Sequence, residues 1–463
     1  MQRHRNRQLT RAPVGRPVWM RVECVVVFAT LPPMTAGIAR TPGDDAYALI
    51  EQMYPICRSI TGDGVRATLS IINGIVPLTL TEVPSGESVL DWTVPPEWNI
   101  RDAYVADASG RRVIDFQQSN LHVVNYSEPV SARLTLDDLR PHLHALPDRP
   151  DSIPYRTSYY ERSWGFCVTQ HQLDALEPGE YDVCIDSSLE PGSLTYGELV
   201  VPGRSEDEIL VSSHVCHPSL ADDNLSGIAT SALLARTLLD GPPPRHTIRF
   251  VYAPGTIGAI TWLSRNRETA TRIRHGLTLT CLGDAHPFTY KRTLAGSAVI
   301  DRAAAHVLAT SGLEHQLIDF FPYGYDERQY NSPGFRLPVG SLMRGRHGQF
   351  PEYHTSADNL DFVSQARLAE SFEVLSRLIA VVDGDRRLIN TAPYGEPQLG
   401  SRGLYGALGG TQIPDAQLAM LWILNLSDGE HSLLDIAERA QIAFEAVAST
   451  AAVLEEHGLL VDA

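Results

Sequence analysis

Apolar positions change their spacing several times along this chain, and each change marks a boundary. Between Asp44 and Leu69 the residues Ala48, Leu49, Met53, Ile56, Ile60 and Leu69 alternate with turn residues, which predicts one or two helices separated by the CRSITGDG turn. From about 81 to 198 short runs of Val, Ile, Tyr and Thr are broken by Pro, Gly and Asp, as in VLDWTVPPEWNIRDAYV, RRVIDF and GEYDVCID. This texture predicts an all-β segment with a helical interlude near 136–145. From 199 onward strand and helix alternate: EILVSSH, a polar loop, the helical SGIATSALLARTLLDG, then HTIRFVYAP and a second helical stretch. GLTLTCLGD and LPVGSLM read as further strands, and QARLAESFEVLSRLIAVV has helical spacing through Ala366, Ala369, Phe372, Leu375, Leu378 and Ile379. Strands alternating with helices predict a mainly parallel sheet, hence an α/β fold that carries the β segment as an insertion or ahead of its sheet.

The Pro- and Gly-rich TAPYGEPQLGSRGLYGALGG reads as a linker. Beyond it, LAMLWILNL, SLLDIAERA and AFEAVASTAAVLEEHG predict three short helices and LLV a final strand, a winged-helix-like pattern. The expected divisions are an unassigned tail at 1–40, the start of the α/β domain at 41–80, an inserted mainly β domain at 81–198, the rest of the α/β domain at 199–385, a linker at 386–412 and the winged-helix-like domain at 413–463.

Charge narrows the partners. A formal net charge of −17 gives little general affinity for nucleic acid or anionic membrane, both of which demand clustered Lys and Arg. The winged-helix-like stretch sharpens this, since Ser427 to Ala463 holds one Arg, Arg439, against eight Asp or Glu residues. Phosphate neutralisation would fail there, and packing or protein contact is expected instead. A small or cationic partner is easier to accommodate, and a homo-oligomer is compatible with the composition. The six cysteines lie far apart with no CxxC pair, which fits a reducing cytoplasm better than a disulfide scaffold. At the N-terminus a basic stretch precedes the apolar VECVVVFATL, as in a secretory signal, but the run is short, contains Glu23 and is followed by no A-x-A site. A true start at Met34 would give the same appearance.

The chemistry concentrates in the α/β half. In ILVSSHVCHPSLADDNLSG an apolar strand ends at His214 and runs through a polar loop to Asp223, nine residues on, just ahead of a helix. Open α/β sheets place ligands at the C-terminal ends of their strands. Asp284 ends the strand-like LTLTCLGD, and His354 stands in PEYHTSADNLDF after another strand, so four donors of zinc-binding type fall on strand ends or the loops after them. Asp358, four residues beyond His354, is a candidate acceptor to orient that imidazole. His217 is a rival ligand, with His214 preferred because it ends the strand directly.

The order H-x-C-H-P, A-D-D-N-x-S-G, P-x-T-I-G, G-D, Y-H-T-S-A-D resembles the M28 zinc aminopeptidase superfamily. More narrowly, strings such as EWNIRDAYV, SNLHVVNYS, PYRTSYY, LEPGSLTYGE, DERQYNSPGF and HSLLDIAERA make residues 44–463 similar to a bacterial family with an aminopeptidase-like domain, an inserted domain of unknown function and a C-terminal winged helix. The resemblance implies an M28-type sheet with helices on both faces. It also implies one or two zinc ions, with His214 and Asp284 on one metal, Asp223 bridging and His354 on the second. M28 enzymes carry a Glu-Glu pair, base then ligand, where this chain reads Gly255-Thr256. Loss of a positioned base usually costs roughly 10²–10⁴ in rate. Cys216 stands where many M28 enzymes place an Asp that orients the His ligand.

Asp326, Glu327, His347 and Glu352 are the candidate substitutes for the base, Glu327 and Glu352 foremost, and Arg328, Arg344 and Tyr353 are candidate substrate contacts. The expected function is metal-dependent, aminopeptidase-like hydrolysis of an amide bond in a small peptide or aminoacylated metabolite. The alternative is a catalytically impaired, metal-binding pseudopeptidase with a recognition or assembly role. On this reading Gly255→Glu would restore the missing acid.

Overall fold

The computed structural model describes residues 40–404 and 415–463. The N-terminal tail with its signal-like run and part of the Gly-rich linker lie outside the described residues.

An eight-stranded sheet organises the chain, in the spatial order Thr79–Pro84, Ser193–Val201, His246–Ala253, Ser205–His214, Ile273–Leu279, Val339–Met343, Phe288–Lys291, His315–Ile318. The four strands from His246–Ala253 to Val339–Met343 run parallel, as the strand–helix alternation requires, and antiparallel neighbours flank them on both sides. The strand Ser205–His214 is flanked by parallel strands on both edges and buried from Glu208 to His214, which is why it reads as a continuous apolar run. Its alternate side chains enter different cores. Ile209 and Val211 join the helices Pro42–Met53, Asp63–Asn73, Gly227–Asp240, Val299–Thr310 and Gln365–Gly384 on one face. Leu210 joins the helix Ile257–Arg265 on the other. The helix Gln365–Gly384 buries Leu368, Ser371, Leu375, Leu378, Ile379 and Val382, while Ala366 is exposed, so its buried stripe is rotated from the one that its apolar spacing first suggests.

The inserted segment begins later and ends earlier than the texture change suggested. Thr79–Pro84 and Ser193–Val201 pair with each other inside the large sheet. The separate antiparallel sheet of Arg112–Asp115, Glu97–Ala106, Glu180–Glu190 and Val130–Thr135 lies between them in the chain. The helical interlude falls at Leu136–Leu139 and Arg140–His142.

The stretch read as linker contributes a strand, Arg387–Asn390, which lies between Asp428–Ser432 and Leu460–Asp462 in a three-stranded sheet. With the helices Asp415–Leu426, Leu433–Ala440 and Phe444–Glu456 this makes a winged helix. Its core residues Ile423, Leu434, Val447 and Leu454 belong to the same cluster as Leu375 and Leu378 of the α/β domain. No described helix is long and apolar enough to cross a membrane.

Candidate metal centre

Two segments that are far apart in sequence, residues 214–224 and the loop carrying His354, meet at the C-terminal end of the central strand. His214, the last residue of Ser205–His214, turns Nε2 to Asp223 Oδ1 at 2.9 Å, while the side-chain amide of Asn224 meets its Nδ1 at 3.2 Å. Asp223 lies in an irregular turn before the helix Gly227–Asp240, and the Asp223–Asn224 peptide is cis. Its second oxygen, Oδ2, meets His354 Nε2 at 3.1 Å. His217 completes the group, with Nδ1 3.1 Å from His214 Nε2 and 3.8 Å from Asp223 Oδ1.

The electrostatics suit metal ligation. Burial holds His217 well below the ordinary histidine range, so its imidazole is neutral at pH 7. Burial alone would raise Asp223, but the His217, His214 and His354 rings around it outweigh that and hold its carboxyl well below the usual range. Neutral imidazole nitrogens and an ionised carboxylate are the donor forms that zinc takes. His354 is the open side of the cluster, its side chain 32% exposed against 3% for His214 and none for Asp223.

The structure therefore brings His214, Asp223 and His354 together, with His217 as a fourth member rather than an alternative to His214. Asp284 is not brought to the cluster. Its Oδ1 accepts from His286 backbone N–H at 2.6 Å and meets the His286 ring at 2.7 Å, and its Oδ2 accepts from Gly345 N–H at 2.9 Å. The group beside Asp223 from that strand is instead Thr280, whose hydroxyl donates to Oδ1 at 3.2 Å. The strand Ile273–Leu279 ends before LGD begins, so the residue at the strand end is Thr280 and Asp284 lies too far along the loop.

Asp358 also departs from its expected role. It accepts the backbone N–H groups of Asp222 and Asp223 at 2.6 and 3.0 Å, which orients the carboxylate-bearing turn rather than the His354 imidazole. Arg344 is held by Glu370, Ser371 and the His286 and Arg367 carbonyls, over the Phe288 ring, which takes four of its five N–H donors and leaves no pair for a two-pronged grip on a substrate carboxylate.

Of the substitute bases, Glu327 is buried in an ion pair with Lys291 and accepts from Tyr325 N–H. Asp326, pushed up to about 7 by burial, accepts Thr256 N–H at 2.7 Å. Glu352 is half-buried in the turn leading to His354. His347, pushed down to about 4 by burial, keeps a buried Nε2 without a hydrogen-bond partner. Tyr353 stacks on His354 with ring centroids 4.0 Å apart, and Arg328 lies near Asp326 and Tyr160.

At the position that lacks the M28 base, the structure has another occupant. A Cβ on Gly255 would fall inside the Tyr325 hydroxyl, so no side chain fits there while Tyr325 keeps its place. The Tyr325 ring stacks on His214 with centroids 3.6 Å apart, and its hydroxyl meets Cys216 Sγ at 3.2 Å. Gly255→Glu is therefore no simple restoration. No local pattern in the sequence marks Tyr325 or Thr280, and the one signal for the first is the glycine opposite, Gly255.

Comparison with known proteins agrees with this architecture. A family model described as a domain of unknown function (DUF4910) matches residues 47–385, and a winged helix-turn-helix model matches 365–462, taking in the helix Gln365–Gly384. A Clostridium acetobutylicum protein, provisionally named a polysaccharide biosynthesis protein with an aminopeptidase-like domain, is 50% identical over 419 residues, covering 90% of this chain and 96% of the relative. The crystal structure of a protein from C. acetobutylicum, provisionally called a peptidase, superposes with a TM-score of 0.87 at 48% identity over 91% of this chain and 96% of that one. A zinc aminopeptidase from Bacillus subtilis shares the fold, with a TM-score of 0.54 at 14% identity over 73% of this chain and 95% of its own.

Proposed function

The chain belongs to the DUF4910 family, with an aminopeptidase-like domain of M28 fold and a C-terminal winged helix, and from that premise we propose that it is a metal-dependent hydrolase of an amide bond in a small peptide or aminoacylated metabolite. The observation that carries this is the convergence of His214, His217 and His354 on the Asp223 carboxylate at the end of the central parallel strand. That donor set suits zinc, which when bound polarises a scissile carbonyl and acidifies a water.

The chain's own residues have separable tasks. His214 and Asp223 would hold the ion, supported by Asn224 and by the Asp358 carboxylate behind the turn. His354, on the exposed edge and backed by Tyr353, is where a substrate would enter. Arg328 remains the basic residue with which to meet a substrate carboxylate, since Arg344 is engaged elsewhere. His347 is a buried neutral imidazole with an unpartnered Nε2, and the burial that pushes it down to about 4 makes it a weak proton acceptor. The name of the clostridial relative directs the substrate search toward aminoacylated or acylamino sugars.

The test is turnover of aminoacyl anilides, dipeptides and N-acylated amino sugars before and after chelation. Hydrolysis that chelator abolishes, zinc restores and Asp223→Ala lacks is the expected result. A second reading is favoured by one observation, the absence of any acid at Gly255 and its occupation by Tyr325. Zinc-loaded protein that hydrolyses nothing in that panel would establish the pseudopeptidase instead.

A further inference from the structure

The sequence leaves His217 as a rival to His214, and the structure places the two imidazoles side by side instead. Among the described residues, His214, His217 and Asp223 form the group whose donor atoms all lie within 4.8 Å of one another. Three contacts from separate parts of the chain fix His217. Arg58, a fully buried guanidinium from the CRSITGDG turn, donates Nε to the His217 carbonyl at 2.7 Å. The Tyr155 ring meets the imidazole edge to face at 5.0 Å. The Tyr325 hydroxyl lies 3.5 Å from Nε2, on the side of the ring opposite the nitrogen that faces Asp223. A ring with one nitrogen in the cluster and the other against a fixed oxygen has the arrangement of a metal-ligating histidine with its outer partner.

The charge balance bears on the number of ions. The M28 likeness provides carboxylates for two metals, but here Thr256 and Thr280 are uncharged and Asp284 is turned to His286 and Gly345. Asp223 is the one carboxylate that the His214, His217 and His354 rings meet. One dication would leave a single uncompensated positive charge, whereas two would leave three around a carboxylate that is itself fully buried, and buried uncompensated charge is strongly disfavoured.

We propose that His217 is the third protein ligand, with His214 and Asp223, of a single metal ion, and that the Tyr325 hydroxyl is the positioning group that fixes its ring. Gly255 is the opening that admits that hydroxyl. This rests on the metal-dependent reading above, but it concerns ligation and not turnover. An imidazole in place of a carboxylate leaves the bound ion more electrophilic and leaves a fourth position for water or substrate, as catalytic zinc sites require.

The experiment is zinc affinity by competition with a chromophoric chelator, together with the visible spectrum of the cobalt(II) form. It compares wild type with His217→Gln, Tyr325→Phe and Asp223→Ala, using thermal unfolding in excess chelator to establish that each variant folds. The proposal expects saturation at one ion, an affinity loss of roughly 100-fold or more in His217→Gln, and a loss of roughly 10- to 100-fold with a shifted cobalt spectrum in Tyr325→Phe. Two ions per chain, or one ion bound equally by His217→Gln, would overturn it and leave the metal-dependent reading intact. Unchanged affinity and spectrum in Tyr325→Phe would overturn the positioning role even if His217→Gln did not fold. No ion in folded wild type would overturn both readings. One ion lost in His217→Gln without any turnover supports this proposal and removes the hydrolase.

Discussion

At the residue scale, the decisive position is Gly255, which carries no side chain because Tyr325 occupies the space one would need. Gly255→Ala should cost about 1–3 kcal/mol, since the methyl forces the phenol off the His214 ring and away from Cys216. Adding Tyr325→Ala should recover much of that loss, and urea unfolding of the single and double variants measures both. The residue scale is also where the sequence was least readable. His214 ends the strand Ser205–His214, and Asp223 and His354, which the structure brings beside it, lie in loops that follow strands. Asp284 looked equivalent, but a strand that ends at Leu279 delivers Thr280 to Asp223 and leaves Asp284 in the loop beyond. Tyr325 is signalled only by the glycine opposite and Arg58 by nothing local, because their roles come from contacts with residues far away in the chain.

At the element scale, the segment that presents Tyr325 is anchored by one buried ion pair. Lys291, in the strand Phe288–Lys291, pairs with Glu327 at the start of the short helix Glu327–Tyr330, and also donates to the Phe321 and Tyr323 carbonyls at 3.1 and 2.9 Å. Removing one partner leaves the other charge buried alone, so Lys291→Met should cost about 3–5 kcal/mol. Lys291→Met with Glu327→Leu should be markedly less destabilising, and denaturant midpoints of the two proteins give the comparison. Elements were legible wherever periodicity was strong, as in the helix Gln365–Gly384 and the central parallel strands. Sheet membership was less so. Thr79–Pro84 and Ser193–Val201 have the same local texture as the inserted strands and differ only in their pairing, which is a long-range property.

At the scale of the whole molecule, the winged helix is fastened to the α/β domain rather than free to address a duplex. Arg302 pairs with Asp435 and Glu438, and Arg377 with Glu445, and the apolar cores of the two parts form one cluster. The acidic charge that argued against nucleic acid in the sequence is thus partly spent on internal pairing. Two outcomes are expected. Labelled duplex DNA should show no shift even at low salt, where phosphate contacts are strongest. Thermal unfolding should show the α/β and winged-helix parts melting in one transition, and a separate early transition of the C-terminal part would contradict the shared core.

Whether the cluster around Asp223 holds a metal at all decides the functional reading. Elemental analysis of the purified chain after zinc exposure and desalting, with Asp223→Ala prepared in parallel, answers that directly. Close to one zinc per chain in the wild type and none in the variant is the predicted result. No retained metal in either protein, with both folded, would contradict it.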